Sequence, residues 1–245
     1  MTDEKHTAFQ INRLYEEFFE QGLKYFFPFG AFTPIASMPD DKDDLSDGNP
    51  QTSVLSLTAL GSRYAFQNNV PFTKSGLRPG QTLLVQGSSG GMATALIQLG
   101  RAAGFEVWTT SRNDEGHALA EKLGAHRTFT SNEKLPHKVQ AVVDNIGPAS
   151  WAHSIASVAR GGTIVITGGT TGFDVNLPLL PVLSEQITVR GSIMGTLQDM
   201  KDMVTFIAAS GITPEIGLVL PMEQAAEGFR TMWEGRTHGK TVFTR

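Results

Sequence analysis

From Thr82 onward the chain alternates short apolar runs with stretches whose apolar positions recur every three or four residues, and Gly-bearing turns separate them. The runs predict strands over Thr82–Gln86, Glu106–Ser111, Arg127–Thr130, Ala141–Asn145, Gly162–Thr167 and Ile187–Gly191. The stretches between predict helices over Gly91–Ala103, Glu115–Leu123, Ala149–Val158 and Gln198–Ala209. Strands that are apolar almost throughout suit a parallel sheet covered on both faces. The predicted fold class is therefore α/β, a doubly wound parallel-sheet Rossmann domain.

The flanks read differently. Upstream, Ile11, Leu14, Tyr15, Phe18, Leu23 and Phe26 fall at helical spacing within Thr7–Phe27, and Pro28 is the stop. The acidic DDKDDLSDGNP that follows reads as a solvated linker. Val54–Ser75 predicts a leading helix and turn, and Leu77–Gly80 a tight turn set by Pro79 and Gly80. Downstream, residues 213–245 offer a strand, a helix and a last short strand after the sheet is complete, so they must pack on something else. The division is 1–53 as an acidic, aromatic-rich segment and linker, 54–212 as the Rossmann-type domain, and 213–245 as a C-terminal tail.

Composition sharpens that division. The chain has 245 residues, 26 of them Gly and none Cys, which excludes a disulfide scaffold, a thiolate nucleophile and any Cys-bound metal. Residues 1–53 hold 10 acids against 4 bases and 7 of the 15 Phe, whereas 54–245 hold 14 acids and 16 bases. The net charge of −4 gives no reason to expect nucleic acid as a partner. No window approaches eighteen apolar residues and the start of the chain is acidic, so neither a membrane span nor a secretory signal is predicted; a cytoplasmic protein is the expectation.

Chemistry concentrates after the first strand. TLLVQGSSGGMATALIQLG is a strand, a small-residue turn and a helix in succession, the context in which a Gly-rich frame binds a dinucleotide. Ser88-Ser89-Gly90-Gly91-Met92-Ala93 occupies the GxGxxG/A frame, with Ser88 where the first Gly would stand. Gly90 allows close approach of a pyrophosphate, Ala93 allows close packing of helix on strand, and the helix N-terminus supplies free N–H groups. The second predicted strand ends Thr109-Thr110-Ser111-Arg112, with no carboxylate before Asp114. A hydroxyl beside a guanidinium suits a 2′-phosphate, which favours NADP over NAD. A turn that binds nothing and a merely solvated Arg112 are the alternatives.

The run LTALGSRYAFQNNVPFTKSGLRPGQTLLVQGSSGGMATALIQLGRAAGFEVWTTSR, then VVDNIG, ARGGTIVITGG, ITVRGSIMGT and GKTVFT, resembles the cofactor half of the medium-chain dehydrogenase/reductase family, in its zinc-free quinone-reductase and enoyl-reductase branch. The resemblance covers about residues 54–245. It implies that Ser89, Gly90, Gly91 and Met92, with Ser88 in the same frame, hold the pyrophosphate, and that Ser111 and Arg112 meet the 2′-phosphate. It implies further that Asn145 and Gly147 form the turn beside the cofactor ribose, and that Thr167, Gly168 and Gly169 face the nicotinamide. It also implies a homodimer through the edge strand Ile187–Ser192. Nothing in 1–53 resembles the GroES-like barrel with which members of the family begin, and the tail 213–245 resembles the segment that returns to that barrel. The aromatic face of Thr7–Phe27 is the expected cover for Ile216–Leu220 and Thr241–Phe243.

The reading that follows is an NADPH-dependent oxidoreductase acting on a small or medium apolar unsaturated carbonyl substrate. Its rival is a family member without redox turnover, a non-redox enzyme for an apolar substrate or a binding partner. Tyr15, Tyr25, Tyr64 and His153 are candidate proton donors, each with a structural alternative. The six His, His6, His117, His126, His137, His153 and His238, show no metal-ligand spacing, so no metal is expected. Gly87-x-Ser89-x-Gly91 satisfies the bare frame of a hydrolase elbow, whose partners could come only from Asp144, Asp174 and His238.

Overall fold

The structure, a computed structural model, describes residues 73–192 and 197–244. The helix expected at Thr7–Phe27, the linker, almost all of the Val54–Ser75 helix and the three Tyr lie outside these residues.

Six parallel strands form one sheet: β1 (Thr82–Val85), β2 (Glu106–Ser111), β3 (Arg127–Thr130), β4 (Val139–Asp144), β5 (Val158–Ile166) and β6 (Thr188–Gly191), in the order β3-β2-β1-β4-β5-β6. The helices are α1 (Gly91–Ala102), α2 (Asp114–Lys122), α3 (Pro148–Ser157), α4 (Leu179–Ser184) and α5 (Leu197–Ser210). Side chains alternate across each strand, and the core divides accordingly. Leu83, Val85, Val107, Ala141, Val143 and Val165 meet Ala93, Leu96 and Ile97 of α1 and Ala120 of α2 on one face. Leu84, Trp108, Phe129, Val142 and Ile164 meet Trp151 and Ile155 of α3 on the other. Met203 of α5 packs on Ala95 and Leu99 of α1. The doubly wound expectation is met, and the strand order reverses between β1 and β4, which opens a crevice at their carboxyl ends.

Most boundaries shift by one or two residues, and two differences go further. Val158 belongs to β5 and not to α3: its backbone is extended at φ −73° and ψ 138°, and it pairs with Val139. The strand then carries a register shift, with Gly161 at φ +71°. The edge strand is also less apolar than expected, because Ile187 is buried in the core while all four residues of β6 are exposed.

The tail forms its own unit. The strands β7 (Ile216–Pro221) and β8 (Lys240–Thr244) pair in parallel, joined by a 3-10 turn and α6 (Ala225–Trp233). Gly228 lets α6 close on them: a Cβ there would lie 2.8 Å from the Phe243 ring and 3.1 Å from Leu220. Among the described residues no helix is long and apolar enough to cross a membrane.

Candidate functional site

The Gly-rich frame occupies the turn between β1 and α1. Gly87 sits at φ +87°, a conformation that glycine adopts without the penalty other residues meet. Gly90 is different. Its backbone is ordinary, at φ −71° and ψ 152°, and a Cβ on it would meet nothing within 4 Å. Neither backbone geometry nor packing within the described residues demands glycine there. The exposed Gly90 is the N-cap of α1, whose first turn carries neither a side-chain cap nor an acidic residue. By contrast α2 is capped by Asn113 Oδ1, which accepts from Gly116 N at 3.0 Å, and it has Asp114 and Glu115 in its first turn. The start of α1 thus presents backbone N–H groups that no side-chain cap covers and no acidic side chain in its first turn neutralises.

The tail lies against this turn. Gly239 N donates to Ser89 O at 2.8 Å, and Gly90 and Gly239 form an isolated parallel bridge. Lys240 follows, and its side-chain methylenes and ammonium cover Gly91: a Cβ on Gly91 would lie 2.7–3.0 Å from Cε, Cδ and Nζ. A cation is therefore within reach of the α1 N-terminus. In the same turn Thr237 Oγ1 and His238 Nδ1, with Thr241 Oγ1 just beyond, are buried atoms with no hydrogen-bond partner among the described residues. Lys240 is not among the residues that the resemblance assigns to the cofactor, and nothing within GKTVFT itself links it to the β1 turn.

On the β2 side the structure separates Ser111 from Arg112. Ser111 is 4% exposed, and its Oγ donates to Asn113 O at 3.0 Å within its own turn. Ser111 Oγ and Ser88 Oγ close on Gly116, where a Cβ would lie 2.3 and 2.6 Å from them. Arg112 is exposed and is the group free to face solvent or a ligand at that strand end.

The β4 and β5 ends form the opposite wall. Asn145 and Gly147 lie in the turn after β4, and Thr167, Gly168 and Gly169 begin the loop after β5. The two are joined closely. Thr170 N and Oγ1 donate to Asn145 O, at 3.2 and 3.0 Å, and Thr171 N and Oγ1 to Ile146 O, at 2.8 and 2.7 Å. Gly147 sits at φ +89°, with room for no side chain: a Cβ would lie 2.6 Å from Gly172 O. Thr167 Oγ1 donates to Met92 Sδ at 3.0 Å, so the β1 turn and the β5 loop meet. Of the predicted residues, Met92 and Thr167 thus bring the two walls together, whereas Ser88 and Ser111 are buried with their hydroxyls toward Gly116.

Other sequence candidates are used structurally. His153 is 8% exposed, with both ring nitrogens engaged, so it cannot donate a proton into the crevice. Two of the hydrolase frame's candidate partners are engaged elsewhere among the described residues: Asp144 accepts from Ser150 and Ser154, and His238 Nε2 lies 3.5 Å from Glu115 Oε2. Burial and the Arg101 guanidinium hold the His126 imidazole below the usual histidine value, at the far end of β2 from the crevice.

Residues 91–209 match the family model described as zinc-binding dehydrogenase. An alcohol dehydrogenase of Geobacillus stearothermophilus is 31% identical over 69% of this chain and 51% of its own length. The chain spans about half the length of the curated relatives it matches. A solved NAD-dependent alcohol dehydrogenase superposes with a TM-score of 0.69 at 29% identity, over 75% of this chain and 56% of that one. A 2-octenoyl-CoA carboxylase reductase, solved with NADP and 2-octenoyl-CoA, has the same fold, with a TM-score of 0.71 at 18% identity over 76% of this chain and 48% of that one. As for zinc, the sequence has no Cys, and the described residues bring no three His, Asp or Glu together as ligands, so they do not fit such a site. The parallel sheet, the β1 turn and these likenesses agree: the chain belongs to the medium-chain dehydrogenase/reductase family, matched over its nucleotide-binding domain.

Proposed function

We propose that the chain is an NADPH-dependent oxidoreductase of the zinc-free quinone, enone or enoyl reductase type, acting on a small or medium apolar unsaturated carbonyl substrate. The observation that carries the reading is Gly90: a glycine required by neither its own dihedrals nor any neighbour among the described residues, at an uncapped helix N-terminus, beside a lysine. A dinucleotide pyrophosphate supplies the missing reason for it, since it needs close backbone approach, free N–H donors and a nearby cation. The relative solved with NADP supports the cofactor class, and the NAD-dependent one makes the choice between the two nucleotides rest on this chain's own residues.

In this reading the N–H groups at the start of α1 and the Lys240 ammonium bind the pyrophosphate. Arg112 takes the 2′-phosphate, and the joined turns at Asn145–Gly147 and Thr167–Gly169 fix the nicotinamide ribose. When bound, the reduced nicotinamide supplies a hydride to the substrate's polarised double bond. The protein's contribution is orientation and electrostatic support.

Three tests address its parts. Arg112→Ala removes the guanidinium that directly follows β2 and is suited to a phosphate fork; NADPH affinity is expected to fall roughly tenfold or more while NADH affinity stays within about twofold. Equal effects on both nucleotides would place Arg112 outside the 2′-phosphate site. The edge strand β6 is the second case. It pairs on one side with β5 and is exposed, a geometry that a second copy completes by strand pairing. Light scattering on the purified chain is expected to give a dimer mass, and Val189→Pro, which removes an edge N–H, is expected to shift it toward monomer. A panel of quinones, enones and enoyl thioesters then decides turnover: NADPH binding without consumption of any of them would favour a non-redox role.

A further inference from the structure

Beneath the crevice lies a set of buried polar side chains that no contact with a cofactor explains. Gln86 is 2% exposed, Thr110 1%, Asp144 1% and Ser154 0%, with Ser150 and His153 beside them. They stand at the carboxyl ends of β1, β2 and β4 and on the adjoining turn of α3, under the point where the strand order reverses.

Their hydrogen bonds form one directed chain. Gly87 N donates to Thr110 Oγ1 at 3.0 Å, and Thr110 Oγ1 donates to Gln86 Oε1 at 2.9 Å. Gln86 Nε2 donates to Ser154 Oγ at 3.0 Å, and Ser154 Oγ donates to Asp144 Oδ2 at 2.6 Å. Asp144 Oδ1 accepts from Ile146 N at 2.9 Å, Gly147 N at 3.0 Å and Ser150 Oγ at 2.8 Å. The direction is fixed at the side branch. His153 Nε2 faces Glu133 O at 2.7 Å and must donate to it, so Nδ1 accepts from Gln86 Nε2 at 2.9 Å, which sets the orientation of the Gln86 amide. Every donor along the chain then finds an acceptor.

The two ends of this chain are the two parts of the proposed cofactor site. One is the N–H of Gly87, where the β1 turn begins; the other is the Asn145–Gly147 turn. An apolar core could hold the strands together at this place, but it would not fix the spacing between two backbone turns, whereas a fully satisfied buried polar network does.

We propose that Asp144, Gln86 and Ser154 are positioning residues that set the Asn145–Gly147 turn relative to the β1 turn, so that the pyrophosphate and the nicotinamide ribose are received together. This rests on the cofactor reading above. None of the three residues touches the cofactor; each acts through the backbone of a turn.

The test measures binding of two ligands by calorimetry: NADPH, which spans both turns, and adenosine 2′,5′-bisphosphate, which reaches only the β1–β2 side. Asp144→Asn keeps the shape but replaces one acceptor oxygen with a donor, and Ser154→Ala breaks the link between Gln86 and Asp144 while leaving both in place. For both variants NADPH affinity is expected to fall about tenfold and the half-cofactor's affinity to stay within about twofold, with thermal unfolding still cooperative. Unchanged NADPH binding, or an equal fall for both ligands, would overturn the inference; Ser154→Ala decides alone if Asp144→Asn does not fold. If the unaltered chain binds neither ligand, the cofactor reading fails and this inference with it; if it binds both and the variants match it, only the inference fails.

Discussion

Gly90→Asp is expected to abolish NADPH binding while leaving the fold as stable as before or slightly more so. Gly90 has a backbone conformation open to any residue, and its Cβ would meet nothing within 4 Å. Asp is a better N-cap than Gly by a few tenths of a kcal/mol, because its carboxylate accepts from the orphan N–H groups of α1. The same carboxylate would occupy the place proposed for the pyrophosphate and repel it. Two unit charges about 4 Å apart interact by about 4 kcal/mol at an effective dielectric of 20, so affinity should drop more than a hundredfold. Thermal unfolding and a nucleotide titration on the same sample check both halves. A destabilised variant, or one that still binds NADPH, would contradict the assignment of the α1 N-terminus.

The second large effect is expected at Gly147→Ala, where binding and stability should fail together. Gly147 sits at φ +89° and ψ −134°, and a Cβ would lie 2.6 Å from Gly172 O, so the turn after β4 and the loop after β5 would have to part. Residues other than Gly held in such backbone regions cost about 1–3 kcal/mol before any clash is counted. The control is Gly161→Ala. Gly161 shares the left-handed backbone at φ +71° but has nothing within 4 Å of its Cβ position and lies at the far end of β5 from the crevice. It should lose stability to backbone strain and bind NADPH as the unaltered chain does. Denaturant unfolding with NADPH titration separates the two; comparable binding by both variants would mean that the Asn145–Gly147 turn has no part in the site.

The sheet was legible because its signals are local. Leu83, Leu84 and Val85 form an apolar run wherever they are met, and Ser88–Ala93 announces a tight turn into a helix. What escaped depends on distance along the chain. Val158 reads as the end of a helix until its pairing with Val139 is known. The short helix Leu179–Ser184, with Leu179, Leu180 and Leu183 all exposed, has too few residues for a period to show. Lys240 enters the site only because Gly239 bonds to Ser89, a contact spanning 150 positions, and no pattern within GKTVFT points to Gly91. Gln86, next to the glycine loop, reads as an incidental polar residue at a strand end; its hydrogen bonds to Thr110, His153 and Ser154 arise only when three strands and a helix assemble.

One measurement bears most directly on the whole account: titration of the purified 245-residue chain with NADPH, followed by the fluorescence of the reduced nicotinamide and by the shift in thermal unfolding. Saturable binding in the micromolar range, accompanied by a rise in unfolding temperature and weakened by Lys240→Ala, is the expected result. No binding and no thermal shift at millimolar NADPH would contradict it.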